Sequence, residues 1–191
     1  FPLLKGSACK GVLFTRDTHF PGEYEKSPEA QAFPTIHCEV GTRGHQLVVD
    51  PMEAVKNGQR VHFLNKNVFD TWGQMHTGAT EADVPPAYRE VYRNLFQITD
   101  ESGTRAITSR EVFFQDLKAK GVNTLVVCGV ATDYCVLMFM IGALKRGFRV
   151  VLLADLVRQA TTDLERSGID TAAREARLLV AMAANIPANR V

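Results

Sequence analysis

A single tryptophan, four cysteines and no long apolar run set the first limits on this chain. The longest apolar stretch, Val136 to Leu144, falls well short of the roughly 20 residues that cross a bilayer, so no membrane span is expected. Cys9, Cys38, Cys128 and Cys135 are too few for a disulfide framework and lack paired zinc-type spacing. They read as reduced thiols of a cytoplasmic protein. Neither sign of charge dominates. With 22 basic and 21 acidic side chains the net charge is +1, and no basic stripe is visible, so nucleic acid is not an expected partner. The start, Phe1-Pro2-Leu3-Leu4-Lys5, has no initiating Met and no signal-peptide pattern. No repeat, low-complexity tract or linker divides the 191 residues, and one domain is expected over 1–191. A domain of this size buries roughly 70% of its unfolded surface, so its core needs neither disulfides nor a structural metal.

What is present is an alternation of short branched-chain runs with helical stretches. Val12–Arg16, Val61–Leu64, Thr124–Val130 and Arg149–Ala154 are mostly continuous in apolar character, as suits strands buried on both faces. Pro86–Phe96, Ser109–Lys120, Asp133–Arg146 and Asp170–Ala184 read as helices. Thr108 and Glu111 suit a capping box, and Gly121 and Gly147 suit helix stops. Strand then helix, repeated, predicts an α/β fold: a three-layer α-β-α arrangement around a mostly parallel, Rossmann-like sheet. The segment Val136–Ile141 is apolar almost all round, which fits either deep burial or a subunit interface. Two stretches break the pattern. Pro21–Asp50 and Phe69–Pro85 are long and irregular, and each follows a predicted strand. Long loops in compact α/β domains are usually functional, and ligands bind beyond the carboxyl ends of the strands.

Three groups of residues carry chemistry. In Gly129-Val130-Ala131-Thr132-Asp133-Tyr134-Cys135-Val136 a buried strand meets a tight turn and a helix. With Thr132 as N-cap, Cys135 stands at the third helical position, where the helix dipole and free N–H groups favour the thiolate. The same N–H groups can hold an oxyanion. Cys9, Cys38 and Cys128 read as structural thiols. In Arg16-Asp17-Thr18-His19, residues i and i+2 of a strand point the same way. Asp17 and His19 can thus face one metal ion, with His37 as a third ligand returned by the excursion. Such a three-ligand N/O set suits zinc, manganese or iron. Lys66 closes the second strand, where an ammonium near a cysteine would stabilise its thiolate and take part in proton transfer. Phe69 and Trp72 follow, either as packing residues or as rings that stack on a flat substrate.

Taken together these pieces resemble the isochorismatase-like cysteine hydrolases, most closely the nicotinamidases. Gly129-Val130-Ala131-Thr132-Asp133-Tyr134-Cys135 is close to that family's nucleophile elbow. Arg16-Asp17-Thr18-His19, followed by Pro34-Thr35-Ile36-His37-Cys38 and Gly41-Thr42-Arg43-Gly44, resembles its metal-binding region. The resemblance implies a homo-oligomer that hydrolyses a small-molecule amide through a thioester, with no organic cofactor. Cys135 would be the nucleophile, Lys66 the lysine of a Cys-Lys-Asp triad, and Asp17, His19 and His37 the metal ligands. A cis bond joining Val130 to Ala131 would let the Ala131 and Cys135 N–H groups form the oxyanion hole. The triad aspartate belongs to a first strand that the resemblance places upstream of Phe1.

The chain also departs from the nicotinamidase pattern. Thr18 stands where those enzymes usually carry Trp, and the Lys66–Trp72 segment differs from their lysine loop. A carbamoyl or ureido compound is therefore an alternative to nicotinamide. Two further readings stay open at this level: a metal hydrolase using Asp17, His19 and His37 to activate water, and a non-catalytic relative that binds a ligand or partner chain.

Overall fold

The computed structural model describes residues 9–47, 49–129 and 131–153. The expected helix Asp170–Ala184, the last residue of the expected strand Arg149–Ala154, and the expected Val130–Ala131 cis bond lie outside these residues. The described residues fall into two compact units. One lies within Phe1–Val68 and Gly73–Lys120, the other within Phe69–Trp72 and Gly121–Val191.

The first unit is built on a four-stranded sheet in the order β1 (Val12–Asp17), β2 (Val61–Lys66), β3 (Gln97–Thr99), β4 (Ala106–Ser109). The β1 and β2 strands pair in parallel, with Val12 opposite Val61 and Asp17 opposite Lys66. A parallel pair needs a long crossover, and residues 18–60 supply it. This crossover carries two short helices, α1 (Glu29–Ala32) and α2 (Met52–Lys56). The β3–β4 hairpin adds two antiparallel strands to the edge of β2. Sequence periodicity does not reveal it: the strands are only three and four residues long, and their hydrophobicity is broken by Gln97, Thr108 and Ser109. The expected helix Pro86–Phe96 is shorter than read, a 3-10 turn at Pro86–Tyr88 running into α3 (Arg89–Arg93). The helix α4 (Arg110–Ala119) is capped by Ser109, whose hydroxyl accepts from the Val112 N–H, rather than by Thr108. Phe20, Val40, Val84, Tyr92 and Leu95 form one core cluster, and Ala54, Val61 and Phe63 another.

Both irregular stretches are anchored. Residues 73–85 are seamed to residues 20–26: Lys26 Nζ lies 2.5 Å from Asp83, and His76 bonds Glu23. A Cβ at Gly22 would crowd the Asp83 carbonyl, so this close approach requires glycine, here at φ +83°.

The second unit holds a parallel pair, β5 (Thr124–Val127) and β6 (Arg149–Leu152), joined through α5 (Leu137–Lys145). Val127, Val136 and Met140 make its core. Of the all-round apolar segment, Met140 is buried while Met138 and Ile141 are each 38% exposed. Among the described residues the α/β class is borne out, with parallel pairing in both units and an antiparallel hairpin that the sequence does not reveal. No helix among the described residues is long and apolar enough to cross a membrane.

Candidate active site and metal centre

The chain leaves β1 as Asp17-Thr18-His19, and His19 is fixed by backbone pairing with the returning excursion. Its N–H donates to the Cys38 carbonyl (3.2 Å) and its carbonyl accepts from the Val40 N–H (2.9 Å). Cys38 adopts φ +46°, a left-handed conformation uncommon outside glycine and typical of functional turns. The pairing brings the His37 ring to 4.9 Å from the His19 ring. The third member of the group is Glu29 on α1. His37 Nε2 lies 3.0 Å from Glu29 Oε1, and His19 Nε2 lies 3.7 Å from the same oxygen. One ligand atom from each of His19, Glu29 and His37 falls within 4.8 Å of the others. Tyr24 backs the group, with its hydroxyl donating to the Phe33 carbonyl (2.5 Å) and lying 3.3 Å from His37 Nδ1.

Buried polar atoms are normally bonded. Here both ring nitrogens of His19 are buried with no hydrogen-bond partner in the structure, and the buried Oε1 of Glu29 faces both imidazoles. Such a set is what a cation would satisfy. Burial drives the His19 pKa down to about 4; the Asp17 charge opposes the shift, and His37, Lys66 and His76 reinforce it. The ring is therefore held neutral, the form that ligates metal. Burial also raises the Glu29 carboxyl, as does Asp17, while His37 and Lys66 pull it down. Two imidazoles and a carboxylate fit zinc, manganese or iron.

Asp17, expected beside the two histidines, bonds the Lys66 ammonium across the β1–β2 pair, and its charge acts on both His19 and Glu29. The ligand atoms that cluster around His19 include one from Glu29. Lys66 is fully buried, and its ammonium also donates to the Val68 carbonyl (3.1 Å). Glu29 is the residue that sequence reasoning passes over. It sits in a charged cluster of the excursion, and its signal is its place between the two histidines, at the start of a short helix.

In the second unit Cys135 lies in a wide turn, Thr132–Val136, where the Val136 N–H reaches back five residues to the Ala131 carbonyl (3.2 Å). Ala131, not Thr132, is the N-cap, and the regular α-helix begins only at Leu137. Cys135 is therefore held by a π-type turn rather than at the third position of an α-helix. Such turns are frequent at functional sites. Its side chain is half-buried, while Cys128 is exposed. Phe69 and Trp72 belong to this unit. The Phe69 ring lies 5.1 Å from that of Tyr134. Trp72 stacks on Phe139 at 5.4 Å, donates Nε1–H to the Phe139 carbonyl (2.8 Å), and carries the Arg146 guanidinium over its ring at 3.9 Å. The indole fills the space that a side chain at Gly142 would need.

Residues 107–184, which include the Cys135 turn, match the isochorismatase domain family model. The resemblance carried by the motifs is borne out for that part of the chain. Among solved structures, a nicotinamidase/pyrazinamidase from Bacillus subtilis is 19% identical, over 76% of this chain and 61% of that one, with a TM-score of 0.49. A pyrazinamidase/nicotinamidase from Streptococcus mutans is 23% identical, over 74% and 59%, at 0.47. An N-carbamoylsarcosine amidase from Thermoplasma acidophilum is 18% identical, over 76% and 58%, at 0.43. The chain thus spans less than two thirds of each of these three. No curated protein matches it.

Proposed function

We propose that the protein is a cysteine-dependent amidohydrolase that cleaves a small-molecule amide through a thioester. The observation that carries this reading is the family match over the Cys135 segment, together with the wide turn that presents Cys135 there. In this reading the Cys135 thiolate attacks the amide carbonyl carbon. The new C–S bond forms as the oxygen takes up negative charge, and the Ala131 and Cys135 N–H groups are assigned to hold it. Collapse expels the amine as ammonia, leaving an acyl-Cys135 thioester that water hydrolyses to the acid and free thiol. A carboxylate, which the resemblance makes an aspartate, takes the thiol proton and returns it to the leaving amine. Lys66 supports that exchange as a buried ammonium already paired with Asp17.

His19, Glu29 and His37 would hold a divalent ion, with Asp17 as a further candidate from the motif. The ion would supply a Lewis-acidic point that binds and orients the substrate. Nicotinamide is the best single substrate; the alternative is a carbamoyl or ureido compound, favoured by Thr18 and the altered Lys66–Trp72 segment. A non-catalytic relative predicts no turnover of either. The test is ammonia release from nicotinamide, pyrazinamide, carbamoyl and ureido compounds by wild type and Cys135→Ala, with and without chelator. Release by wild type alone supports the proposal. Equal release by both proteins, or none from any amide, overturns it.

A further inference from the structure

Next to the candidate site lies a buried polar cluster that neither the thiol chemistry nor the histidine group uses. Glu23 is 0% exposed and Asn67 is 0% exposed. Glu23 Oε1 accepts from Asn67 Nδ2 at 2.7 Å and is bonded to His76 Nε2, while Oε2 accepts from the Phe20 N–H at 3.3 Å. One carboxylate thus ties three separate segments: the loop leaving β1, the residue after β2, and the loop that follows Gly73. Burying such a group is costly, because a carboxylate leaves water only where hydrogen bonds replace it. Packing alone would be served as well by an apolar side chain.

The placement of Asn67 gives the cluster its consequence. Asn67 directly follows Lys66, and successive side chains along an extended segment point to opposite faces. Pulling the Asn67 amide into Glu23 fixes the backbone at the end of β2, and with it the direction of the Lys66 side chain. On its other side Lys66 is held by its carbonyl, which accepts from the Thr18 N–H (2.7 Å), and by its ammonium on Asp17. We infer that Glu23, acting through Asn67, is a positioning residue that holds the Lys66 ammonium on Asp17 for catalysis. This rests on the amidohydrolase reading.

The test compares Glu23→Ala, Glu23→Gln and Asn67→Ala with wild type. Gln keeps an oxygen acceptor for Asn67, so it separates lost positioning from lost packing. Positioning requires that kcat fall at least tenfold in Glu23→Ala and Asn67→Ala, with KM within twofold, and that Glu23→Gln recover most of the rate. Lys66 should also become at least fivefold more reactive toward acetic anhydride in the two alanine variants, measured by mass spectrometry against Lys118 and Lys120. Unchanged kcat, a change confined to KM, or a Gln variant as slow as Ala overturns the inference. If Glu23→Ala does not fold, Asn67→Ala carries the comparison. If wild type hydrolyses no amide, the amidohydrolase reading fails on its own account, and unaltered protection of Lys66 in Asn67→Ala overturns the positioning role independently.

Discussion

Asp17 and Lys66 stand opposite one another in the parallel register of β1 and β2, and their side chains close into an ion pair at the carboxyl end of both strands. The Lys66 end of the pair is almost wholly out of water, with its side chain 2% exposed. Removing one partner of such a pair leaves an uncompensated buried charge, which costs about 3 kcal/mol or more. Asp17→Asn should therefore unfold at clearly lower denaturant concentration than wild type. Adding Lys66→Met to it should restore much of the loss. A single variant as stable as wild type would show that the pair is not held in the folded protein.

Metal should bind through the histidine and glutamate group. Zinc, manganese or iron(II) added to metal-free protein is expected to raise Tm, by the equivalent of about 2.7 kcal/mol at a hundredfold excess over Kd. His19→Ala and Glu29→Ala should lose that response, because each removes one of the clustered ligand atoms. Thermal scans across an ion titration check this, and an undiminished response in Glu29→Ala would exclude Glu29 as a ligand.

Much of this site is legible in the chain itself, and the parts that are not have physical reasons. His19 and His37 stand out because imidazoles flanking a turn are few among 5 histidines. Glu29 does not, because a carboxylate in a charged stretch looks like solvated surface until the fold buries it. The continuous branched runs announce β1, β2, β5 and β6, whereas β3 and β4 are too short and too mixed to show a period. Pattern also suggests an α-helical start beneath Cys135. The wide turn that replaces it depends on one hydrogen bond reaching from Val136 to Ala131, which hydrophobic spacing does not encode. The aromatic character of Trp72 leaves packing and substrate stacking open, and Phe139 and Arg146 both contact its ring.

That packing sets two effects against each other at Gly142. Alanine is the better helix former by about 1 kcal/mol. A Cβ there would nevertheless run into the Trp72 indole, and overpacking of this kind costs about 1–3 kcal/mol. Gly142→Ala should therefore lower Tm. In a Trp72→Ala background the same change should raise it. An increase in the wild-type background would mean that the indole does not occupy the notch.

His45 gives a pH signature. Its Nε2 lies 3.0 Å from the Thr18 hydroxyl. Burial, reinforced by the Arg16 charge, lowers its pKa from 6.5 to about 4. Above the ordinary histidine pKa both folded and unfolded chains carry it neutral, and it has no effect on stability. Between about pH 6.5 and 4 the unfolded chain binds a proton that the folded one refuses, so stability falls as pH falls, levelling below 4. His19 acts with the same sign. His45→Gln should flatten the slope in urea titrations over that window without abolishing it. An unchanged slope would place His45 in solvent.

The account as a whole turns on whether Cys135 becomes acylated. Wild type mixed with a turned-over amide and quenched in acid within the first turnovers should show, by intact and peptide mass spectrometry, an added acyl mass on the peptide carrying Cys135. That adduct should decay as the acid product accumulates and should be absent from Cys135→Ala, which should also release no ammonia. Amide hydrolysis at the wild-type rate by Cys135→Ala, with no acyl adduct in wild type, would contradict covalent catalysis by this residue.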